Sequence, residues 1–399
     1  MGADWRVNAR IFPVRILYFT RDYTPHDYRF LTALAGQGLD VFFLRLERGG
    51  RQLEDRSLPP TVNQIVWRGG QAPFRWRDIP ALLLELRSIL RRVQPDIVHA
   101  GPIQTAAFLS ALSGFRPLVS MSWGSDLLRD AKKNRWYRWI TRFTLLSSTV
   151  LVGDCQAVRD CAISFGLPAE KVFTFPWGID LDRFAPETRD AAGEVLRSSL
   201  PPPEKQSLRS RLGWQDNFVV LSLRSWEPVY GIDVLLRGFA RAAQESPHLR
   251  LLLMGGGSLA PMVHHLIQQY NLADRVYLGG QVSQNDLPQF YHSADLYVSA
   301  SRSDGSSVSL MEALGCGLPV LISDIPANRE WVTDGEQGWL FADGDPVSLS
   351  TRLLLALNQS ETMQSMRQAA RLQALKRANW QENFKTLLKA YDCAIRIRQ

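Results

Sequence analysis

The sequence predicts an α/β protein built from two doubly wound halves. Short apolar runs typical of buried parallel strands alternate with helical stretches in both halves of the chain. A polar stretch with a charged patch and three consecutive prolines separates the two series, at residues 185–213. The chain has 399 residues, and single hydrophobic cores stop growing at roughly 250–300 residues, so we expect two domains.

The first half opens with a buried strand at 14–20 and continues with a helix at 28–37, which Gly38 ends. A helix at 79–93 has apolar spacing and is closed by Pro95. The remaining strands are predicted at 41–46, 97–100, 118–122, 150–152 and 172–175. Strands that alternate with helices indicate a parallel sheet covered on both faces.

The second half repeats this alternation. Its strands are predicted at 218–223, 249–254, 276–278, 296–299 and 319–323. Its helices are predicted at 232–244, 261–270, 287–292 and 309–315, with a last amphipathic, basic helix at about 380–398.

Composition excludes few partners. The net charge of +7 favours anionic partners, namely nucleic acid, an anionic membrane face or phosphorylated ligands. Nucleic-acid binding would rest on charge alone, and we do not expect it. The four cysteines lack metal-ligand spacing, and neither a signal peptide nor a membrane-spanning run is apparent. We therefore expect no metal and a cytoplasmic location, with peripheral contact at the inner face of a membrane left open.

One loop has the residues expected of a ligand-binding site. Asp304, Gly305, Ser306 and Ser307 follow a predicted strand and precede a helix. Such a helix N-terminus offers backbone N–H groups to an anion, and Glu312, two turns on, could accept hydrogen bonds from a ribose. The alternative is an ordinary turn with a capping serine and a surface glutamate, and the residues alone leave both open.

Residues 303–320 resemble the signature of glycosyltransferase family four, with two acidic residues that have seven residues between them, a helix of small residues and Gly-x-Pro-Val. The resemblance extends more weakly over nearly the whole chain. It implies a retaining enzyme with the GT-B fold, in which two Rossmann-like domains face a central cleft. It implies an acceptor domain at 1–184 joined by the helix at about 380–399, a linker or insertion at 185–213 and a donor domain at 214–379.

The resemblance also implies roles for single residues. Glu312 would bind the donor ribose, and Asp304 would contact the donor sugar, although the family usually has Glu there. Arg224 would neutralise the diphosphate, and a surface arginine is the alternative. The residues that would present backbone groups to the diphosphate are Gly305, Ser306, Ser307 and Val308.

Three further positions belong to the implied donor site. Tyr230 stands where the family usually has a phosphate-binding lysine, so one expected cation is missing. Gly256 lies in a loop close to the donor, and Val282 would lie near the base.

The residues implied for the acceptor side match the family pattern less closely than those of the donor site. His26 could match a histidine of the family, or be an ordinary loop histidine. Trp123 replaces a histidine that many relatives carry and cannot act as a base, so a polar role would pass to Ser125 or Asp126. Asp126 could orient an acceptor hydroxyl, or cap a helix that starts near Leu127.

A basic and aromatic stretch at 132–143 admits two interpretations. It could dock on an anionic membrane face, or it could be a helix that buries Trp136, Ile140 and Phe143 and exposes its charges. The core spacing of those three residues favours burial.

The sequence therefore predicts transfer of a hexosyl unit from a nucleotide sugar, with UDP favoured, to a hydroxyl of a glycan or lipid-linked acceptor in surface polysaccharide or glycoconjugate biosynthesis. Arg224, Asp304 and Asp126 are the catalytic candidates. The nucleotide sugar is a substrate, and no cofactor is expected. Alternatives are a nucleotide-sugar-binding protein with weak or lost activity and, ranked lower, a UDP-sugar epimerase.

Overall fold

A computed structural model describes residues 13–48, 54, 56–187 and 208–398. Contacts divide the chain into two units, one of Met1–Pro176 with Glu382–Gln399 and the other of Trp177–Gln381. The sequence placed the corresponding boundaries at 184 and about 380. Most of the expected linker, 188–207, lies outside the described residues, as does most of the segment before the first strand.

The described part of the first unit forms a parallel sheet of seven strands in the order β3-β2-β1-β4-β5-β6-β7. Its strands are β1 (Arg15–Thr20), β2 (Asp40–Arg45), β3 (Asn63–Gln64), β4 (Ile97–Ala100), β5 (Leu118–Met121), β6 (Val150–Gly153) and β7 (Val172–Thr174). Its helices are α1 (Pro25–Ala35), α2 (Ile79–Val93), α3 (Phe108–Ser113), α4 (Ser125–Leu128), α5 (Arg135–Ser147) and α6 (Gln156–Ser164).

The described part of the second unit forms a parallel sheet of six strands in the order β10-β9-β8-β11-β12-β13. Its strands are β8 (Phe218–Ser222), β9 (Leu249–Met254), β10 (Val276–Gly280), β11 (Leu296–Ser299), β12 (Val320–Ser323) and β13 (Gly338–Phe341). Its helices are α7 (Leu208–Leu212), α8 (Ile232–Glu245), α9 (Ala260–Gln269), α10 (Leu287–His292), α11 (Val308–Gly315), α12 (Pro326–Arg329), α13 (Pro346–Asn358) and α14 (Ser360–Arg377).

Local sequence signals explain where several helices begin and end. Thr24 and Asp27 form a capping box at the start of α1. Gln94 ends α2 in the left-handed conformation, with φ of 49°. Asp345 accepts a hydrogen bond from the Val347 N–H and caps α13. Each signal is local, so it acts before any tertiary contact forms.

The last helix, α15 (Trp380–Arg398), returns to the first unit from Glu382 onward. Its Tyr391 is buried and hydrogen-bonds the Nδ1 of His99, which lies on β4. Burial lowers the pKa of His99 to about 3, so this imidazole is neutral at physiological pH. Among the described residues, no helix combines the length and apolar character that crossing a membrane requires.

The predicted α/β class, with two doubly wound halves, is confirmed. The sequence did not predict the short edge strand β3, the strand β13 or the helices α13 and α14. Each sheet reverses its strand order at one place, between β1 and β4 in the first unit and between β8 and β11 in the second. Open parallel sheets bind ligands at the carboxyl ends of the strands beside such a reversal.

Candidate functional site

The candidate site lies where the carboxyl ends of β8 and β11 meet, in the second unit. The chain leaves β8 through a loop that carries Arg224, and it leaves β11 through a loop that carries Asp304. Because the two strands are hydrogen-bonded neighbours, residues that are 80 positions apart in the sequence come into contact. The structure thus brings together Arg224 and the loop of 304–307, as the site prediction requires.

Arg224 is held by side chains of the second loop and of α11. Its Nη2 donates to Asp304 Oδ2 at 2.6 Å, and its Nη1 donates to Ser307 Oγ at 2.7 Å and to Ser309 Oγ at 3.3 Å. The side chains of Arg224 and Asp304 are only 12% and 16% exposed. The Nε of Arg224 is buried and has no hydrogen-bond partner among the described residues.

The pair of Arg224 and Asp304 keeps its charges because each group compensates the burial of the other. Burial opposes the charged guanidinium, but the Asp304 carboxylate outweighs this effect and raises the pKa of Arg224. Burial raises the pKa of Asp304, and the guanidinium opposes that rise. At a separation of 2.6 Å we expect both groups to be ionised at neutral pH. An incoming diphosphate would therefore meet a cation that already holds a carboxylate.

Tyr230 does not replace the missing cation but supports the one that is present. It ends a 3₁₀ turn, Pro228–Tyr230, that leads into α8. The Cζ of Arg224 lies 4.2 Å from the centre of the Tyr230 ring, within the range of a cation–π interaction. Together with Asp304 and Ser307, the ring fixes the guanidinium plane.

The helix α11 begins directly after the loop of 304–307, as the sequence predicted. Ser307 is the N-cap residue and Val308 begins the helix. Ser306 and Ser307 are buried, and Gly305 donates its N–H to Asp304 Oδ1 at 3.2 Å. The first N–H groups of a helix have no partner within the helix, so this end of α11 can bind an anion next to Arg224.

Glu312 lies further along α11 and is only 5% exposed. The hydroxyl of Tyr291, on α10, donates to Glu312 Oε2 at 2.7 Å. This contact orients the carboxylate and occupies one of its oxygens. The predicted role of Glu312 toward a ribose stays a prediction.

The loops after β9 and β10 are tied to the loop after β8. Gly256 accepts a hydrogen bond from the Trp226 N–H at 2.9 Å, and Gly255 donates to the Gly280 carbonyl at 2.6 Å. Gly255 has φ of +100°, and a Cβ there would come within 2.9 Å of the Arg224 carbonyl. Only glycine therefore fits easily at this close approach, whereas Gly256 is not sterically restricted in the described structure. Val282, two residues beyond β10, is half-buried.

On the acceptor side, the structure places His26 beside Trp123. His26 lies in the first turn of α1, and its ring centre is 5.5 Å from that of Trp123. Trp123 also meets Phe30 edge-on at 6.2 Å. The two predicted residues thus share a surface of the first unit.

Asp126 is occupied by its own loop. Its Oδ1 accepts hydrogen bonds from the Ser122 hydroxyl at 2.6 Å and from the N–H groups of Trp123 and Leu127 at 3.0 Å. Its Oδ2 accepts from the Ile103 N–H at 3.0 Å. These contacts tie the loop after β5 to the turn after β4, which is a structural task.

The alternative interpretation of Asp126, as the N-cap of a helix that starts near Leu127, is wrong. The helix α4 already begins at Ser125, and its N-cap is Gly124, with φ of 85°. Asp126 lies inside the first turn, and Ser125 beside it is half-buried. The predicted catalytic role of Asp126 stays a prediction. The carboxylate already accepts four hydrogen bonds from the protein, and these would compete with an acceptor hydroxyl.

Sequence reasoning missed two tyrosines of the second unit. Tyr291 contacts Glu312, and the Tyr297 hydroxyl lies 2.8 Å from Ser309 Oγ, next to Arg224. Both side chains are fully buried, and nothing in the apolar alternation separates them from ordinary core aromatics. A polar hydroxyl in a buried helix or strand was the one available signal, because it needs a partner.

Two family profiles match the chain. The profile described as "Glycosyltransferase Family 4" matches residues 26–183, and the one described as "Glycosyl transferases group 1" matches residues 204–373. Each covers one of the two doubly wound halves. The second includes Arg224 and the whole of the loop after β11.

Curated relatives match about half of the chain. A protein of Catenulispora acidiphila named D-inositol 3-phosphate glycosyltransferase 2 is 30% identical over 49% of this chain and 44% of its own length. A protein of Mycolicibacterium smegmatis named GDP-mannose-dependent alpha-(1-6)-phosphatidylinositol monomannoside mannosyltransferase is 26% identical over 55% of both chains. This chain thus spans about half the length of these two relatives.

A solved structure shares the fold over nearly the whole chain. HepE of Anabaena, in complex with UDP and glucose, superposes with a TM-score of 0.76 over 95% of this chain and 99% of its own. At 20% identity this likeness shows the fold alone, and it confirms the predicted GT-B class.

Proposed function

We propose that this chain, which belongs to the family 4 glycosyltransferases and has the GT-B fold, transfers a hexosyl unit from a nucleotide sugar to a hydroxyl of a glycan or lipid-linked acceptor. The family follows from the two profiles that match its two halves. Such a transfer would serve the assembly of a surface polysaccharide or glycoconjugate. UDP is the donor nucleotide that we favour, and the name of the GDP-mannose-dependent relative makes GDP the alternative to test.

The contact of Arg224 with the β11 loop and the first turn of α11 carries the proposal. It places one buried guanidinium beside a helix N-terminus, and both favour a diphosphate. Glu312, about one turn along the same helix, is oriented by Tyr291 and suits a ribose. One loop and one helix would then hold the two polar parts of a nucleotide.

We propose retention of configuration at the anomeric carbon. The bond from that carbon to the diphosphate oxygen breaks, and the acceptor oxygen bonds to the carbon on the same face. The departing phosphate accepts the proton of the acceptor hydroxyl, so the step needs neither a protein nucleophile nor a metal. Arg224 and the α11 N-terminus would stabilise the charge that develops on the leaving group.

Calorimetry with UDP and with GDP tests the donor half of this proposal. We expect one of them to bind to the full chain, and Arg224→Ala to weaken that binding at least tenfold, while the matched variant Arg241→Ala, exposed on α8, keeps it. Transfer is then followed with radiolabelled UDP- and GDP-sugars over a panel of acceptors. If neither nucleotide binds and neither sugar is hydrolysed or transferred, the proposal is wrong.

Binding without turnover is a second candidate function, and the site itself supports it. Tyr230 leaves one expected cation missing, and Arg224 already holds Asp304, so stabilisation of the leaving group could be weak. Tight binding of UDP with no hydrolysis or transfer would favour this candidate. In that case Tyr230→Lys, which restores the cation, should raise the rate.

A further inference from the structure

The first unit carries an exposed cluster that the proposed donor site does not use. It lies on α5, on the 3₁₀ turn Trp76–Asp78 and on the short turn before α5. We call it the aromatic–basic surface, and it consists of Trp76, Lys132, Lys133, Arg135, Trp136, Arg138, Trp139, Arg142 and Phe143.

The helix α5 does not bury all the aromatic residues that the spacing suggested. Ile140 is fully buried, as expected, but Trp136 is 52% exposed and Trp139 is 49% exposed. The interpretation in which Trp136 faces the core is therefore wrong. Leu146, further along the helix, is 50% exposed, so three large apolar side chains of α5 are exposed.

The aromatic rings form a packed array. Trp136 stacks on Trp139 with ring centres 5.1 Å apart and planes 14° apart, and Trp139 stacks on Phe143 at 5.6 Å and 17°. Trp76, from a distant part of the chain, meets the edge of Trp136 at 6.2 Å. Because two elements contribute to the array, it is a preformed surface.

The charges around the array are mostly basic. Five basic residues and no acidic residue lie between Asp130 and Asp154, and all five are exposed. Arg75 and Arg77 flank Trp76 and are also exposed. The acidic groups close to the array in sequence are Asp130, which pairs with Arg129 at 2.9 Å, and the half-buried Asp78, on the same 3₁₀ turn as Trp76.

We propose that the aromatic–basic surface docks the protein on an anionic lipid bilayer. Tryptophan prefers the interface between lipid and water, and an amphipathic helix with basic residues beside its apolar face lies in the plane of that interface. Exposed lysines and arginines next to such a face bind anionic headgroups. The inference deepens the proposed function, because it selects a lipid-linked acceptor over a free glycan.

Vesicle flotation of the full chain tests this docking without any donor or acceptor. Vesicles of phosphatidylcholine with 30% phosphatidylglycerol are compared with vesicles of phosphatidylcholine alone, as about a third of anionic lipid gives a clear surface potential. We expect binding to the anionic vesicles only, weakened by added salt. Tryptophan fluorescence should shift to shorter wavelength on binding.

Two double variants separate the contributions, and neither touches the donor loops. Trp136→Ser with Trp139→Ser should lower vesicle affinity by roughly tenfold or more, and Arg135→Gln with Arg138→Gln should do the same. The matched control is Leu372→Ser with Leu375→Ser, since these leucines of α14 are 65% and 47% exposed. It should keep full vesicle binding.

The outcomes decide whether a lipid bilayer or nucleic acid binds the aromatic–basic surface. No binding to anionic vesicles, or binding that both double variants retain, overturns the proposal. A salt-dependent shift with DNA as strong as the vesicle binding points to nucleic acid instead and also overturns it. Calorimetry with UDP and GDP in the absence of vesicles reports on the donor site separately, so failure of one proposal is distinguishable from failure of the other.

Discussion

Each unit has a Ser-Asp pair after a strand and near a helix start, and the two pairs end up differently. Asp304 follows Ser303 in the second unit and pairs with the buried Arg224. Asp126 follows Ser125 in the first unit and accepts four hydrogen bonds from its own neighbourhood. The same Ser-Asp pair thus forms an ion pair that a ligand can compete for in the second unit. In the first unit it holds a loop in place through hydrogen bonds.

The difference lies in which group the loop after the neighbouring strand places beside each carboxylate. The loop after β8 brings a guanidinium, whereas the turn after β4 brings a backbone N–H, that of Ile103. A guanidinium can exchange a carboxylate for a phosphate oxygen, because it recognises both. A backbone N–H within a turn has no such freedom. We therefore expect changes at Asp304 to affect ligand binding and changes at Asp126 to affect stability.

The largest effect should come from Arg224→Ala. The variant leaves the Asp304 carboxylate buried without its cation, which typically costs about 3–5 kcal/mol of unfolding free energy. Chemical denaturation measures this loss. The double variant Arg224→Ala with Asp304→Ala should recover much of the stability and still bind nucleotide poorly. A double variant as unstable as the single one would contradict the importance of the ion pair.

Asp126→Ala should come next and should act on stability alone. It removes the acceptor of four hydrogen bonds and leaves three buried N–H groups without it, which should lower the unfolding free energy by about 3 kcal/mol. Nucleotide affinity, measured by calorimetry at a temperature where the variant is folded, should not change. Asp130→Ala is the control, because its carboxylate accepts a hydrogen bond from the exposed Arg129. A stable Asp126→Ala variant with lost transfer would instead support the catalytic prediction.

Mild acid should weaken the first unit through His99. Its pKa is about 3 in the folded protein and 6.5 ordinarily, so its contribution is present above pH 6.5 and is lost as the pH falls toward 3. Between pH 7 and pH 5 the loss is about 2 kcal/mol. Asp27 acts in the opposite direction, since burial raises its pKa from 3.8 to about 6, so its contribution is present below pH 3.8 and is lost as the pH rises through 6.

Comparison with His99→Gln isolates the histidine from that opposing effect. The difference in unfolding free energy between the wild type and this variant should shrink or change sign as the pH falls from 7 to 5. Denaturant titrations at both pH values measure it. A difference that does not depend on pH would show that His99 does not carry the acid sensitivity.

The smallest effect should come from Tyr230. Tyr230→Phe keeps the ring over Arg224 and should leave nucleotide affinity unchanged. Tyr230→Ala removes a cation–π contact of about 1 kcal/mol, which corresponds to roughly fivefold in affinity. Calorimetry with the preferred nucleotide distinguishes them. Equal losses in both variants would assign the effect to the hydroxyl and not to the ring.

The sequence was sufficient for the features that depend on one segment. Apolar runs located β8 and β11, and the Gly-Ser-Ser turn located the start of α11. The features that it missed depend on two segments at once. The contact between Tyr291 and Glu312 needs α10 to lie against α11, and the exposure of Trp136 depends on which side of α5 the sheet covers. Helical spacing shows which residues share a face, but it does not show which face is buried.

The return of α15 to the first unit has a consequence for the order of events during synthesis. His99 is made before the second unit, but its partner Tyr391 is made after it. The second unit is translated between them, so it can complete its fold while the first still lacks a helix. A nascent chain that stalls before residue 391 would hold an unfinished first unit. Chaperones that recognise an uncovered sheet would bind this unit.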